Sequence, residues 1–329
     1  MNDPPLKGDR TRLIPRTRLT VPVAQSGGHR YFCMGCLETD FLMELNLTEL
    51  ARWFRALPTV FRDAVVIGAI VLAVAQPCAA DHIQESFPYE LDSWVEGALV
   101  TGGVGLVAAG RLVRHRQDPL SAGAVALLDR ADINSFDRSA TSQWSVEAAD
   151  ASDVLVMTLL AAPVGLAIAT SGSRESWVVS AMYGEVFLVG NGLVDLLKGV
   201  TNRTRPLVYN GHPDIPAEAR FDVKARRAFP SGHTANAFAS AVFFSSVFTK
   251  LHPNSSAGSW IWASSVTLAA ATGFARYQGG KHYPTDLLIG AFVGSLVGWG
   301  VPRLHEIDGV SLAVSPSENG TKIGLRLRH

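Results

Sequence analysis

The sequence predicts an all-α protein: a helical bundle of about five to six apolar helices, followed by a short C-terminal β-hairpin tail. Three observations carry this. Apolar segments rich in Ala, Gly and Val recur with helical spacing from about residue 94 onward. Turn residues separate them, as at 171–173, 252–254 and 278–280. The alternation of strands and helices that marks a parallel sheet is not seen.

In chain order, residues 1–42 are Pro- and Arg-rich and are set aside from fold reasoning, Met34 or Met43 making a more natural start. Val65–Ala75 is continuously apolar, with Arg52, Arg55 and Arg62 before it and Cys78-Ala79-Ala80 after it. A basic stretch, a short apolar core and a small-residue exit describe a secretory signal peptide, with an uncleaved anchor as the alternative. Cleavage near Ala80 would remove every cysteine, since Cys33, Cys36 and Cys78 all precede it. That suits an oxidising compartment. The Cys33/Cys36 pair has zinc or redox spacing, but without partner ligands it predicts neither.

The expected divisions are 1–80 (extension plus signal or anchor), 81–150 (N-terminal helical region), 151–302 (core) and 303–329 (tail). Helices are predicted over Trp94–Val113, Val154–Thr170, Trp177–Leu197, Thr234–Phe248, Ile261–Phe274 and Leu287–Val301. With a cleaved signal the first of these lies on the surface; with an anchor it completes a hairpin. Alternating runs at 310–314 and 322–326 flank Asn319-Gly320, a strong hairpin signal.

Lys+Arg and Asp+Glu both total 29 in the 329 residues, so no basic excess points to nucleic acid. A mean hydropathy of +0.17 is high for a soluble enzyme and low for a chain made only of membrane spans. Polar residues inside apolar segments, Glu185, Asn191 and Asp195, must face the bundle interior if those segments span. Asp195 is expected to orient Lys198. The 174 and 250 loops would lie inside and the more basic loops outside, the reverse of the usual charge bias.

Three separated segments carry the chemistry: Lys198-x6-Arg205-Pro206, Pro230-Ser231-Gly232-His233 and Arg276-x5-His282-x3-Asp286. Phosphoryl transfer is mainly positioning plus electrostatic stabilisation of equatorial oxygens, and these residues provide that without a metal. Arg205 and Arg276 grip oxygens as planar forks, while Lys198 acts as a point charge. Ser231 precedes an apolar helix, so the backbone N–H groups of Gly232 and His233 point at an anion. Asp286, four residues after His282, is placed to hold one imidazole nitrogen and free the other for attack on phosphorus. His233 is then the general acid. Arg226 and Arg227 are equally a headgroup attractor or a solvated loop, His212 is exposed, and the 207–228 loop sets substrate choice. Each segment alone is an ordinary helix stop or loop. Ten fixed identities together coincide by chance on the order of once in a million chains.

These segments resemble the three-part signature of the type 2 phosphatidic acid phosphatase superfamily, which includes lipid phosphate phosphatases, soluble bacterial acid phosphatases and vanadium haloperoxidases. The resemblance covers residues 198–286 and departs only at Ala275, where many members carry serine. It implies phosphate binding by Lys198, Arg205, Ser231, Gly232 and Arg276. It also implies a phosphohistidine at His282, an orienting Asp286 and an acid His233, with no metal and no cofactor. The expected activity is a metal-independent phosphatase of phosphomonoesters or diphosphates, lipid phosphates such as phosphatidic acid or undecaprenyl diphosphate, acting at the membrane with its site on the extracytoplasmic face. The alternatives are a vanadium-dependent haloperoxidase, a soluble periplasmic acid phosphatase, and a relic without activity. The short chain argues against the peroxidase, and intact His233, His282 and Asp286 argue against the relic.

Overall fold

The computed structural model describes residues 87–307, Ser171 apart. The apolar run at 65–75, the three cysteines and the hairpin expected over 310–326 lie outside the described residues. Nine α-helices occur among the described residues, six of them long. They are α1 (Ser93–His115), α2 (Ala122–Ala126), α3 (Ser135–Arg138), α4 (Val146–Ala169), α5 (Ser173–Thr201), α6 (Ala217–Phe221), α7 (Gly232–Leu251), α8 (Ala257–Gln278) and α9 (Pro284–His305).

Local chemistry sets the helix ends. Asp92 caps α1 by accepting from the Trp94 N–H at 2.9 Å, and Ser145 caps α4 by accepting from the Ala148 N–H at 3.0 Å. Asn202, in the left-handed region at φ 48°, ends α5. Pro284 starts α9 at a position where its missing N–H costs nothing. Each long helix extends past its apolar run; α4 begins eight residues before the predicted Val154.

The core centres on α7. Phe243, Phe244, Val247 and Phe248 pack with Val178, Val179, Met182 and Val186 of α5, Leu166 of α4, Ile261 of α8, and Val297 and Val301 of α9. The α7–α9 contact is close because Gly290, Gly294 and Gly298 lie one turn apart on α9. A Cβ at 290 would stand 2.6 Å from the Ser231 carbonyl oxygen, and at 294 and 298 it would collide with the carbonyls of Ala235 and Ala239.

The six long helices alternate in direction. Gln117, just past α1, donates to the carbonyls of Lys198 and Gly199 at the end of α5, so α1 and α5 run the same way. Arg276 at the end of α8 meets Ser152 near the start of α4, and the Ser231 N–H bonds the Asp286 carbonyl at 3.0 Å. The connections 116–145, 202–231 and 279–283 therefore gather at one end of the bundle. The short turns at 170–172 and 252–256 lie at the other. There the Glu90 N–H also bonds the His305 carbonyl (2.9 Å), bringing the entry to α1 beside the exit of α9.

Four segments among the described residues are long and apolar enough to cross a membrane: α1, α4, α5 continued to Tyr209, and α9. Large apolar side chains remain exposed on the outer faces, including Trp260, Ile168, Phe292 and Trp299. Helix α1 is itself one of the four, and Val104 and Leu112 stand exposed along it.

Candidate active site

All three segments converge at the connection-bearing end. Lys198 occupies the last turn of α5, Arg205 the loop after it, Ser231 the cap of α7, Arg276 the last turn of α8, and His282 and Asp286 the start of α9. The loops are pinned to one another. The Arg205 N–H donates to the Ala225 carbonyl (2.7 Å), the Ala228 N–H to the Arg203 carbonyl (3.0 Å), and the Leu207 N–H to the Gly280 carbonyl (3.0 Å).

His282 is buried. Its Nδ1 lies 2.7 Å from the Ala228 carbonyl oxygen, which can only accept, so the proton sits on Nδ1 and the Nε2 lone pair is left free. Burial, with the charges of Arg205, Arg276 and Lys198 close by, holds its pKa well below the ordinary value. The ring is therefore neutral at neutral pH. Asp286 was expected to hold this ring, but its nearer oxygen is 3.6 Å from Nδ1, beyond hydrogen-bond reach. The Ala228 carbonyl takes that place. Asp286 instead accepts from the Tyr283 N–H (2.8 Å) and from Arg203 (2.6 Å), closing the turn that carries His282.

The cations are held differently. Arg276 donates to Ser152 Oγ (3.1 Å) and Asp153 Oδ1 (3.3 Å), while its Nε is buried without a partner. The Nε of Arg205 is likewise buried and unpartnered. Lys198 has no side-chain hydrogen bond or ion pair among the described residues, and its Nζ would lie 2.9 Å from a Cβ placed on Gly232. Glycine there lets the ammonium and the α7 N-terminus share one small space. Ser231 Oγ accepts from Thr234 Oγ1 (2.9 Å) and keeps its own proton to donate. Unsatisfied buried donors and a helix N-terminus around a neutral imidazole make a cradle suited to an anion.

His233 lies across this space, partly exposed, with Nε2 2.8 Å from Asp153 Oδ1. Asp153 thus bridges His233 and Arg276. It escaped the sequence reading, as did Arg203 and Asp137. Arg203 donates to Asp286, to Asp137 Oδ2 (2.7 Å) and to Thr285 Oγ1 (2.7 Å), and stacks 4.0 Å over the Tyr283 ring. Asp137 is fully buried and also accepts from Asn134 and from the Thr285 N–H. Burial alone would raise its pKa, yet Arg203 and these other donors bring it below the usual carboxylate value. The only advance signal for Arg203 was its position between Lys198 and Arg205.

Two secondary expectations change. Asp195 pairs with Arg114 at 2.8 Å rather than with Lys198. Arg227 donates from Nε to Gln117 Oε1 at 3.1 Å, so one of its two candidate roles is already structural. His212 is exposed as expected.

Comparison with known proteins places this site in context. Residues 180–308 match the PAP2 superfamily model. The chain is 39% identical over 130 residues to a lipid A 1-phosphatase of Porphyromonas gingivalis, covering 39% of this chain and 24% of that protein. It is 35% identical over 103 residues to a lipid A 4'-phosphatase of Bacteroides thetaiotaomicron, covering 29% of this chain and 42% of that one. The chain therefore spans less than half the length of either relative. The crystal structure of a transmembrane PAP2-type phosphatidylglycerolphosphate phosphatase from Bacillus subtilis aligns with 63% of this chain and 94% of its own. The TM-score is 0.37 and the identity 19%.

Proposed function

We propose that the chain, whose residues 180–308 match the PAP2 superfamily model, is a metal-independent, membrane-bound phosphatase of lipid phosphates. The observation that carries this reading is the buried, neutral His282 ringed by Lys198, Arg205 and Arg276, with unpartnered donors on both arginines. Nε2 of His282 attacks phosphorus while Lys198, Arg205, Arg276, Ser231 and the Gly232 backbone hold the equatorial oxygens. The bond from phosphorus to the lipid oxygen breaks, and His233 gives that oxygen a proton. Burial and Arg276 lower the pKa of His233 to about 4, so Asp153 and the anionic substrate must hold it protonated for this step. Water then attacks the phosphohistidine, His233 takes its proton, and phosphate leaves. Asp286 and Arg203 position the His282 turn and do not touch substrate.

The exposed apolar helices favour a lipid substrate over a soluble phosphomonoester. The names of the two relatives add lipid A phosphates to phosphatidic acid and undecaprenyl diphosphate as the classes to test. We assign the site to the extracytoplasmic face, with the short turns near Arg174 and Lys250 inside. This follows the family resemblance and runs against the usual charge bias, part of the outer excess being the phosphate-binding cations themselves. Because α1 starts at the end opposite the site, that orientation puts its start inside. It argues against cleavage near Ala80, which would leave the mature start outside. We keep 151–302 as the phosphatase core, with 81–150 supplying Asp137, and a hairpin in the tail.

Phosphate release by the full chain in detergent, with chelator present, tests this on those three lipids and an aryl phosphate. Release that disappears in His282→Ala is expected, with a lipid preferred. A preference for the aryl phosphate would instead favour an acid phosphatase. No release from any substrate would overturn the reading.

A further inference from the structure

A second cluster of chemistry-bearing side chains lies at the end of the bundle away from His282. Glu96 is in the first turn of α1, Glu185 is midway along α5, and His305 is the last residue of α9. Their potential ligand atoms all lie within 4.8 Å of one another.

His305 is buried, and its Nδ1 is 2.8 Å from the Val301 carbonyl oxygen. That carbonyl accepts, so Nδ1 carries a proton and Nε2 faces the two carboxylates, 2.8 Å from Glu96 Oε1 and 3.3 Å from Glu185 Oε2. Glu185 is only 4% exposed, and neither of its oxygens has a hydrogen-bond partner among the described residues. The 3.3 Å approach to His305 is an ion-pair distance without hydrogen-bond geometry. A buried carboxylate with two orphaned oxygens, a second carboxylate and an imidazole nitrogen thus aim at one point. Such an arrangement is favourable only when positive charge lies among the three groups, as a metal ion or as protons.

We propose that Glu96, Glu185 and His305 bind one divalent transition-metal ion of the zinc type, fastening α1, α5 and α9 where the chain enters and leaves the bundle. The donor set is borderline, one nitrogen and two oxygens, which suits zinc better than magnesium or calcium. The Nδ1–H bond to a backbone carbonyl is the outer contact that metal-bound histidines make. Tetrahedral bonds of about 2.0–2.2 Å set ligand atoms about 3.3 Å apart. Glu185 already stands at that spacing from His305, and the partly exposed Glu96 has room to withdraw by about 0.5 Å. The cluster shares no residue with the phosphatase site, so the ion stabilises the bundle and takes no part in phosphoryl transfer. The rival occupants are protons, one on the imidazole and one on Glu185 shared with Glu96, and they would leave the cluster without a metal.

The test uses the full chain in detergent with Cys33, Cys36 and Cys78 changed to serine, so that no thiol competes. After chelator treatment and dialysis, the protein is equilibrated with Zn²⁺ and its bound metal counted by mass spectrometry. One zinc per chain and a higher melting temperature are expected, both unchanged in His233→Ala. Both disappear in Glu185→Gln, which preserves shape and basal phosphate release. If Glu185→Gln does not fold, Glu96→Gln at the partly exposed edge carries the same comparison, with affinity lowered at least tenfold. Failure of the parent protein to bind stoichiometric Zn²⁺ overturns the proposal, as does full zinc retention by a folded variant.

Discussion

Replacing Arg203 by methionine removes the one cation shared by two fully buried carboxylates. Arg203 stands 2.7 Å from Asp137 Oδ2 and 2.6 Å from Asp286 Oδ1, and its side chain is a quarter exposed. Stripping one partner from a buried ion pair costs about 3–5 kcal/mol, because the remaining charge is left uncompensated. The partial exposure of Arg203 lowers that, and so do the donors that remain. Asp137 keeps Asn134 and Thr285, and Asp286 keeps the Tyr283 N–H. The cost is then near the lower end, about 3 kcal/mol. For a unit of this size each kcal/mol moves the melting temperature by about 2–4 °C, so the midpoint should fall by about 6–12 °C. Thermal unfolding in detergent measures it. Adding Asp137→Asn to Arg203→Met removes one stranded charge, so the double variant should be more stable than the two single losses summed. A shift under about 2 °C, or strict additivity, would refute the shared-cation account.

Three further outcomes follow from the geometry. His233→Ala should lower turnover of lipid phosphates by about 10²–10⁴ but that of an aryl phosphate far less, since a phenolate leaves without a proton; equal losses would count against an acid role. Gly232→Ala puts a methyl 2.9 Å from Lys198 Nζ and should cost up to about 10²-fold in kcat/KM, with the fold intact by melting. The lowered pKa of His282 means its neutral, nucleophilic form survives below the ordinary histidine value of 6.5 and is lost only as pH falls through the lowered one. The acid limb of kcat/KM should therefore lie below the ordinary histidine value of 6.5, and a limb at or above 6.5 would contradict the assignment. Stability has the same sign: the unfolded chain takes up this proton first, so acidification below 6.5 weakens the fold.

Much of this was readable from the chain. Apolar periodicity located all six long helices, and the three segments named the groups that meet at one end. The helix ends were not readable, because the turns that build the site are polar. Glu147, Asp150, Ser152 and Asp153 hide the first two turns of α4 from any hydrophobic pattern. Asp153 and Asp137 reach the site only through the packing of α4 on α8 and the folding of 130–142 against the start of α9. Neither has a fixed spacing to a signature residue. The Ala228 carbonyl as the holder of His282 was equally hidden, since a backbone acceptor leaves no mark on residue identity. Asp286 sits at the expected i+4 position, but Arg203 and the Tyr283 N–H occupy its oxygens.

The most direct test of the central claim is to trap the enzyme with a phosphorus-labelled lipid phosphate, quench in alkali and map the label by mass spectrometry. An acid-labile, alkali-stable phosphate on His282, absent in His282→Ala, is predicted. A label on another residue, or turnover that persists in His282→Ala, would contradict it.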